Sequence, residues 1–153
     1  MRELAFPMVE KGSIGRCPRF ALVDEKGEPA EEYDPYDFEL LRLCEGDRWV
    51  GVHGEMYNYV WRGRTPESVV MAYLEERLEA NREALEEERK SCEERLKLAE
   101  RAEDERERES WLRSHAACLE TLEELERDAR RLEKLLEGLR TGRIKVEFLE
   151  GER

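Results

Sequence analysis

Residues 65–142 decide the fold of this chain, and they read TPESVVMAYLEERLEANREALEEERKSCEERLKLAERAEDERERESWLRSHAACLETLEELERDARRLEKLLEGLRTG. A helix is predicted to begin at Thr65, whose hydroxyl can accept a hydrogen bond from an exposed backbone amide. Pro66 suits the first helical position, where no intrahelical bond is lost, and Glu67 complements the helix dipole. Gly142 is the residue type that commonly ends a helix. The segment is therefore expected to be almost entirely helical.

Apolar residues recur at heptad spacing in two runs within this segment. The first run comprises Met71, Leu74, Leu78, Leu85, Cys92, Ala99 and Ala102. The second run comprises His115, Cys118, Leu122, Leu125, Ala129, Leu132, Leu136 and Leu139. Such spacing is typical of coiled-coil seams. The residues between Ala102 and Trp111 offer no apolar anchor, and the two runs are out of phase, so the seam is broken there.

Two arrangements fit this break: an antiparallel hairpin, or one continuous helix that pairs with another chain. A hairpin that turns near Arg106 and Glu107 brings seam against seam, with Cys92 opposite Leu122. Residues 143–149 alternate like a half-buried strand, and a lone strand needs a sheet. A straight helix would carry that strand about 110 Å away at 1.5 Å per residue, whereas a hairpin returns it to the N-terminal β segments. The hairpin is therefore predicted.

Residues 1–64 and 142–153 are expected to form a small β-rich body around the hairpin of residues 65–141. Strands are predicted at residues 4–9, 19–24, 38–44, 49–53, 56–62 and 144–149, although 38–44 also fits a short helix. The turn-forming residues 45–48 favour a β-hairpin between 38–44 and 49–53. The predicted fold class is thus α+β, with a mostly antiparallel β body and a long antiparallel coiled-coil hairpin, here called the arm.

The composition narrows the classes of partner. The chain has 153 residues, of which 43% are charged, and its net charge is -12. This acidity argues against a primary role on nucleic acid or on an anionic membrane, since both would repel the chain. No run has the length of a membrane span and the first residues lack the apolar core of a signal peptide, so a cytoplasmic location is expected. The absence of Gln, the scarcity of Asn and the preference for Arg over Lys suggest a GC-rich or a heat-adapted source, and codon bias explains the Arg preference as well as temperature does.

The four cysteines are widely spaced and form no CxxC pair. Cys92 and Cys118 lie on the predicted seams about one helical turn out of step, so no disulfide is expected between them. Cys17, Cys44 and His53 could meet in the body as metal ligands, but neither their spacing nor a fourth ligand supports a zinc site. No metal and no cofactor are predicted.

Catalytic motifs are not recognisable in the sequence. Residues 12–15 read GSIG but lack the Lys-Ser/Thr of a phosphate loop, and there is no nucleophile elbow. His53 beside Gly51 and Gly54 could act as a general base near Cys44, yet a lone histidine on an aromatic-rich strand is more often structural. The chain is therefore predicted not to be an enzyme.

Two surfaces are candidate contact sites for a partner. The acidic tip of the arm comprises Glu103, Asp104, Glu105, Glu107 and Glu109. The arm base comprises Tyr57, Tyr59, Trp61, Arg62 and Arg64, a combination that can form an interface hot spot or stack on bases. The competing explanations are that these aromatic side chains fill the small core, and that the tip is acidic because the whole chain is.

These features favour a non-catalytic, regulatory protein that docks its arm onto a larger protein partner. One alternative is a self-assembling structural protein in which the helices pair between chains, giving a homodimer. Another is nucleic-acid binding through the face from Tyr57 to Arg64, which the net charge disfavours.

The acidic-tipped arm resembles, in outline, that of transcript-cleavage and related factors that enter the secondary channel of RNA polymerase. The resemblance implies that polymerase is the larger partner, and that tip carboxylates help to hold a metal at the polymerase active site. Two features depart from that pattern. The coiled coil follows most of the globular part, and Arg106 and Arg108 interrupt the acidic residues.

Overall fold

The computed structural model describes residues 2–3, 17–30, 41–45, 48–53 and 60–149. Along the chain, its elements are β1 (Arg2–Glu3), β2 (Phe20–Val23), β3 (Leu41–Cys44), β4 (Trp49–His53), β5 (Val60–Gly63), α1 (Pro66–Arg101), α2 (Glu105–Thr141) and β6 (Lys145–Phe148). The chain is α+β, as predicted. It divides into two compact units. The first comprises residues 1–76 and 132–153, so it includes the first part of α1 and the last part of α2, and from here on the name body refers to this unit. The second comprises residues 77–131 and is called the hairpin unit.

The body contains two antiparallel sheets. The larger has the strand order β1-β5-β4-β3, and the smaller pairs β2 with β6. In the smaller sheet Phe20 lies opposite Phe148, and Val23 lies opposite Lys145. The C-terminal strand therefore returns to an N-terminal strand, which confirms the argument for a hairpin over a continuous helix.

All the described strands except β1 overlap predicted segments: β1 lies before the predicted segment 4–9, and β5 ends one residue beyond the predicted segment 56–62. β2, β4 and β6 lie within the segments predicted for them. The segment 38–44 fitted either a strand or a short helix, and its last four residues form the strand β3. β3 and β4 pair as the predicted β-hairpin, with Leu41 opposite His53. The predicted strand 4–9, residues 38–40 and residues 56–59 lie outside the described residues.

The core of the body forms where the first turns of α1 meet the larger sheet. A Cβ atom added at Gly51 of β4 would come within 2.7 Å of Val69 Cγ1, so Val69 packs directly on the strand backbone there. Rings join the two sheets, since Trp49 and Phe148 stack with centroids 5.3 Å apart. The fully buried side chains of the body include Phe20, Leu22, Leu41, Leu43, Val52, Val69, Val70, Leu74 and Leu135.

Both predicted helix boundaries in the body are confirmed. Thr65 Oγ1 accepts the backbone N–H of Ser68 at 3.1 Å, and Ser68 Oγ accepts the N–H of Thr65 at the same distance. Glu67 accepts the backbone N–H of Val146 at 2.9 Å, which ties β6 to the start of α1. Gly142 ends α2 with φ at 80°, a left-handed conformation that favours glycine.

Cys17 and Cys44 form a disulfide in the body, with their Cα atoms 4.4 Å apart. The pair packs with Val50 and Val52. Because Cys44 lies opposite Val50 and His53 lies three residues further along β4, about 10 Å separates them at 3.3 Å per residue. These residues therefore do not converge on one metal ion.

The hairpin unit turns at residues 102–104, about three residues before the position expected near Arg106 and Glu107. Asp104 sets this position, because its Oδ1 accepts the backbone N–H of Glu107 at 2.7 Å. Asp104 with Glu107 is a D-x-x-E pattern of the kind that begins helices. The sequence therefore contained a signal for the turn, although it has no Gly, Pro or Asn there.

The earlier turn corrects the pairing of the seam cysteines. Cys92 meets Cys118 rather than Leu122, a slide of four residues or about one helical turn. The two cysteines form a disulfide with Cα atoms 5.6 Å apart, so the expectation of no disulfide between them is wrong. Its physical reason is the shift in the turn, since every cross-helix pair depends on where the chain reverses.

Candidate functional site

Three cross-helix contacts fix the register of the hairpin unit. The disulfide joins Cys92 to Cys118 at the seam. Closer to the turn, Arg95 Nη1 donates to the carbonyl oxygen of Ser114 at 3.0 Å. Further from the turn, the side chains of Arg89 and Glu126 form an ion pair at 3.7 Å. The last contact marks one flank of the seam, because long charged side chains pair beside a seam and not within it.

The residues of the predicted acidic tip are brought together at the turn end of the hairpin unit. Glu103 and Asp104 lie in the turn, while Glu105, Glu107 and Glu109 lie in the first turn and a half of α2, and all five are exposed. Asp104 is engaged as the helix cap described above, so its carboxylate has a structural role. Glu105 pairs with Arg108 at 3.7 Å on the exposed surface, a contact that contributes little to stability.

A second feature of the hairpin unit, between its turn and its middle, is a set of exposed leucines. Leu96 lies seven residues from Arg89 toward the turn, and Leu119 lies seven residues from Glu126 toward the turn. Residues seven apart occupy the same position relative to a coiled-coil seam, so both leucines lie on the flank that contains the Arg89–Glu126 pair. Leu112 lies seven residues before Leu119 and is on the same flank. Their exposed fractions are 38% for Leu96 and 43% for both Leu112 and Leu119. Among the described residues these are the large aliphatic side chains that stay most exposed.

We call this set, Leu96, Leu112 and Leu119, the leucine flank. Positions beside a coiled-coil seam usually carry Glu, Lys or Arg, as positions 89 and 126 do. Leucine at three such positions, between the turn and the middle of the hairpin unit, leaves apolar surface that the described residues cover only in part. The sequence held a signal for this surface, because Leu112 and Leu119 are seven residues apart and Leu119 directly follows the seam residue Cys118.

No family model, curated protein or solved structure matches this chain. Among the described residues, neither long helix has a stretch apolar enough to cross a membrane.

The arm base is only partly described. Trp61 is buried, donates its Nε1–H to Glu76 Oε2 at 2.8 Å and meets the ring of Tyr73 edge-on with centroids 4.9 Å apart. Its indole ring therefore packs within the body. Arg62 and Arg64 are exposed, and Tyr57 and Tyr59 lie outside the described residues.

The two histidines also have structural surroundings. His53 is buried, and its ring stacks on Tyr73 with centroids 6.0 Å apart. His115 Nδ1 lies 3.0 Å from the carbonyl oxygen of Cys92 across the seam. A carbonyl oxygen only accepts, so Nδ1 carries the proton in this contact.

The body has an open cleft of about 520 Å³ beside the turn between β2 and Pro29. Its charged lining mixes three acidic side chains, Asp24, Glu25 and Glu28, with three basic ones, Lys26, Lys134 and Arg143. Asp24 is already used, because its Oδ1 accepts the backbone N–H groups of Lys26 and Glu28 at 2.9 and 3.1 Å. With both signs equally present, this cleft selects neither an anion nor a cation.

Proposed function

We propose that this protein is a non-catalytic interaction protein that docks the half of its hairpin nearer the turn onto a larger protein partner. The leucine flank is the observation that supports this proposal. Three leucines on one flank remain about 40% exposed in a unit that buries the seam residues Leu78, Leu85 and Ala129. Because fully burying a leucine is worth roughly 2 kcal/mol, covering the exposed part of each would contribute about 1 kcal/mol. Together they would strengthen binding by roughly a hundredfold, at about 1.4 kcal/mol per tenfold.

The charge around the flank indicates the chemistry of the partner. Exposed carboxylates of the acidic tip surround its turn end, and the whole chain has a net charge of -12. A complementary surface is an apolar ridge or groove bordered by Lys and Arg side chains. A second copy of this chain is a poor occupant, because its own acidic residues would be repelled.

RNA polymerase is one candidate for the larger partner. The gathering of acidic residues at the turn supports it, and the engagement of Asp104 as a helix cap weakens the idea that tip carboxylates hold a metal. If the tip carboxylates hold a metal at the polymerase active site, neutralising Asp104 and Glu105 together would abolish any effect of the protein on transcript cleavage. If the arm only docks onto polymerase, the same change would weaken binding, and transcript cleavage would fall only as far as binding does.

A cytoplasmic location is part of this proposal and has to be reconciled with two disulfides. Disulfides are rare in reducing compartments, but intracellular proteins of heat-adapted organisms are an exception. The residue composition that suggests a heat-adapted source thus supports a cytoplasmic protein with disulfides.

The proposal is tested by measuring how tightly matched variants bind the partner. Affinity capture with the tagged chain would supply a partner, which is then purified and titrated against the wild-type chain and two variants. Leu112→Glu with Leu119→Glu places two negative charges on the leucine flank, whereas Ala117→Glu places one on the exposed outer face of α2. We expect the double variant to weaken binding at least a hundredfold and Ala117→Glu to change it less than threefold.

Two results would overturn the proposal. One is equal loss of binding in both variants, since the leucine flank would then have no special role. The other is sedimentation of the purified wild-type chain as a stable dimer that the double variant dissociates. In that case the flank would serve self-assembly rather than a heterologous partner.

A further inference from the structure

Three side chains with metal-binding atoms converge in the middle of the hairpin unit. Glu88 and Cys92 are four residues apart on α1 and so share one helix face, and Cys118 faces them from α2. One ligand atom from each of the three lies within 4.8 Å of the other two. Glu88 Oε1 is 2.8 Å from Cys118 Sγ. Two ligands at i,i+4 on one helix face are a spacing that binds zinc in proteins.

The Glu88 carboxylate can interact favourably with Cys118 only when the cysteines are reduced. A disulfide sulfur has no proton to donate, so the close approach of Glu88 to Cys118 makes no hydrogen bond with an ionised carboxylate in the oxidised form. In the thiol form, the S–H of Cys118 donates to Glu88. In the thiolate form, a cation between the three groups would be attracted by two sulfurs and one carboxylate. Reducing compartments keep cysteines in these two forms.

The donor set selects a particular class of metal. Two thiolates with one carboxylate suit zinc, which binds sulfur at about 2.3 Å and oxygen at about 2.0–2.2 Å in a tetrahedron. That geometry places the two sulfurs about 3.8 Å apart. With the Cα atoms of Cys92 and Cys118 5.6 Å apart, side-chain rotation can provide this spacing without moving the helices. Calcium and magnesium prefer oxygen ligands alone and fit the set poorly.

The surroundings keep the three groups in place when the disulfide opens. His115 Nδ1–H donates to the Cys92 carbonyl at 3.0 Å, and Arg95 donates to the Ser114 carbonyl at 3.0 Å, so two other contacts still join α1 to α2 at this level. Cys92 and Cys118 are buried, at 4% and 1% exposed. Glu88 is half-buried and leaves a side open, where water can complete the tetrahedron.

We infer that the reduced protein binds one zinc ion through Cys92, Cys118 and Glu88, and that the disulfide and the metal are alternative cross-links at the same place. A dithiol reductant opens the disulfide by giving two electrons and two protons to the sulfurs and becomes a cyclic disulfide itself. Zinc then takes both sulfurs as thiolates, and two protons leave to solvent. Either cross-link holds α1 against α2 at mid-hairpin.

The experiment uses cobalt as a visible substitute for zinc. The full chain is reduced with a dithiol, freed of reductant under argon, and titrated with Co²⁺. We expect one equivalent to produce thiolate-to-cobalt charge-transfer absorption, and Zn²⁺ to displace it. Cys92→Ser with Cys118→Ser should abolish the band, and Cys17→Ser with Cys44→Ser should keep it.

Glu88→Gln tests the third ligand without removing a seam cysteine, and Glu87→Gln is its matched control on the exposed neighbouring position. We expect Glu88→Gln to weaken zinc binding at least tenfold and Glu87→Gln to change it less than twofold. The inference is wrong if the reduced wild type shows no charge-transfer band, or if the band survives loss of Cys92 and Cys118. Equal affinities for the two glutamine variants would also overturn it, because Glu88 would then not be a ligand.

Discussion

The body and the hairpin unit are stabilised in different ways. In the body, helix and sheet enclose side chains completely, and Leu22, Leu41 and Leu43 are 0% exposed. In the hairpin unit, two helices share a narrow seam that includes cysteine, alanine and polar residues such as Asn81. A pair of helices has no third element to cover its flanks. Its stability therefore depends more on a cross-link and on its turn, whereas the body depends on buried apolar area.

The largest effect is expected from a cavity in the body. Leu43→Ala removes a fully buried side chain and should lower the free energy of unfolding by about 4 kcal/mol. Leu119→Ala, at a position 43% exposed, should lower it by only about 1 kcal/mol. Chemical denaturation of both variants measures this contrast. A similar loss in the two would show that the units do not differ as described.

The next effect concerns the cross-link of the hairpin unit. Replacing Cys92 and Cys118 by serine opens a loop with a sequence separation of 26 and should destabilise the oxidised protein by about 3.5 kcal/mol. The loss should fall on one unit, so amide hydrogen exchange should accelerate in residues 77–131 and stay slow in β2 and β4. Uniform acceleration across both units would contradict the division of the chain.

The glycine that ends α2 should have a smaller effect. Gly142→Ala places a Cβ atom at a residue with φ at 80° and should cost about 1–2 kcal/mol. The strain should loosen the β2–β6 pairing, because β6 begins three residues later. Thermal unfolding with far-ultraviolet circular dichroism measures the loss. An unchanged midpoint would show that the chain reverses there without needing glycine.

The smallest of these effects concerns the turn of the hairpin unit. Asp104→Ala removes the cap on Glu107 N–H and should cost about 1 kcal/mol, whereas Asp104→Asn keeps an acceptor and should cost less. Denaturation of the two variants under identical conditions gives the comparison. Equal losses would mean that the negative charge of Asp104, and not its cap, stabilises the turn.

Features that depend on residues close together in the sequence could be predicted, whereas features that depend on tertiary contacts could not. Periodicity and caps were sufficient for the helices, since Thr65 and Gly142 act as their residue types indicate. The alternation in residues 143–149 was sufficient for the last strand, but its partner strand and the division into two sheets depend on tertiary contacts. These cannot be read from spacing.

The candidate site was predicted only in part. The acidic tip is assembled as expected, because neighbours in sequence meet at a turn. The Cys92–Cys118 pair was missed because a shift of about three residues in the turn changes every pairing across the seam. The leucine flank was missed because exposure beside a seam becomes evident only when the register is known, and Arg89 with Glu126 supplies that register.

The most direct test of the docking proposal is photocrosslinking in extract of the native host. A photoreactive amino acid is placed at position 112, on the leucine flank, and in a second protein at position 117, on the outer face of α2. The account predicts a crosslink from position 112 to one larger protein and none from position 117. Crosslinks of equal yield from both positions, or a crosslink from position 112 only to a second copy of this chain, would contradict it.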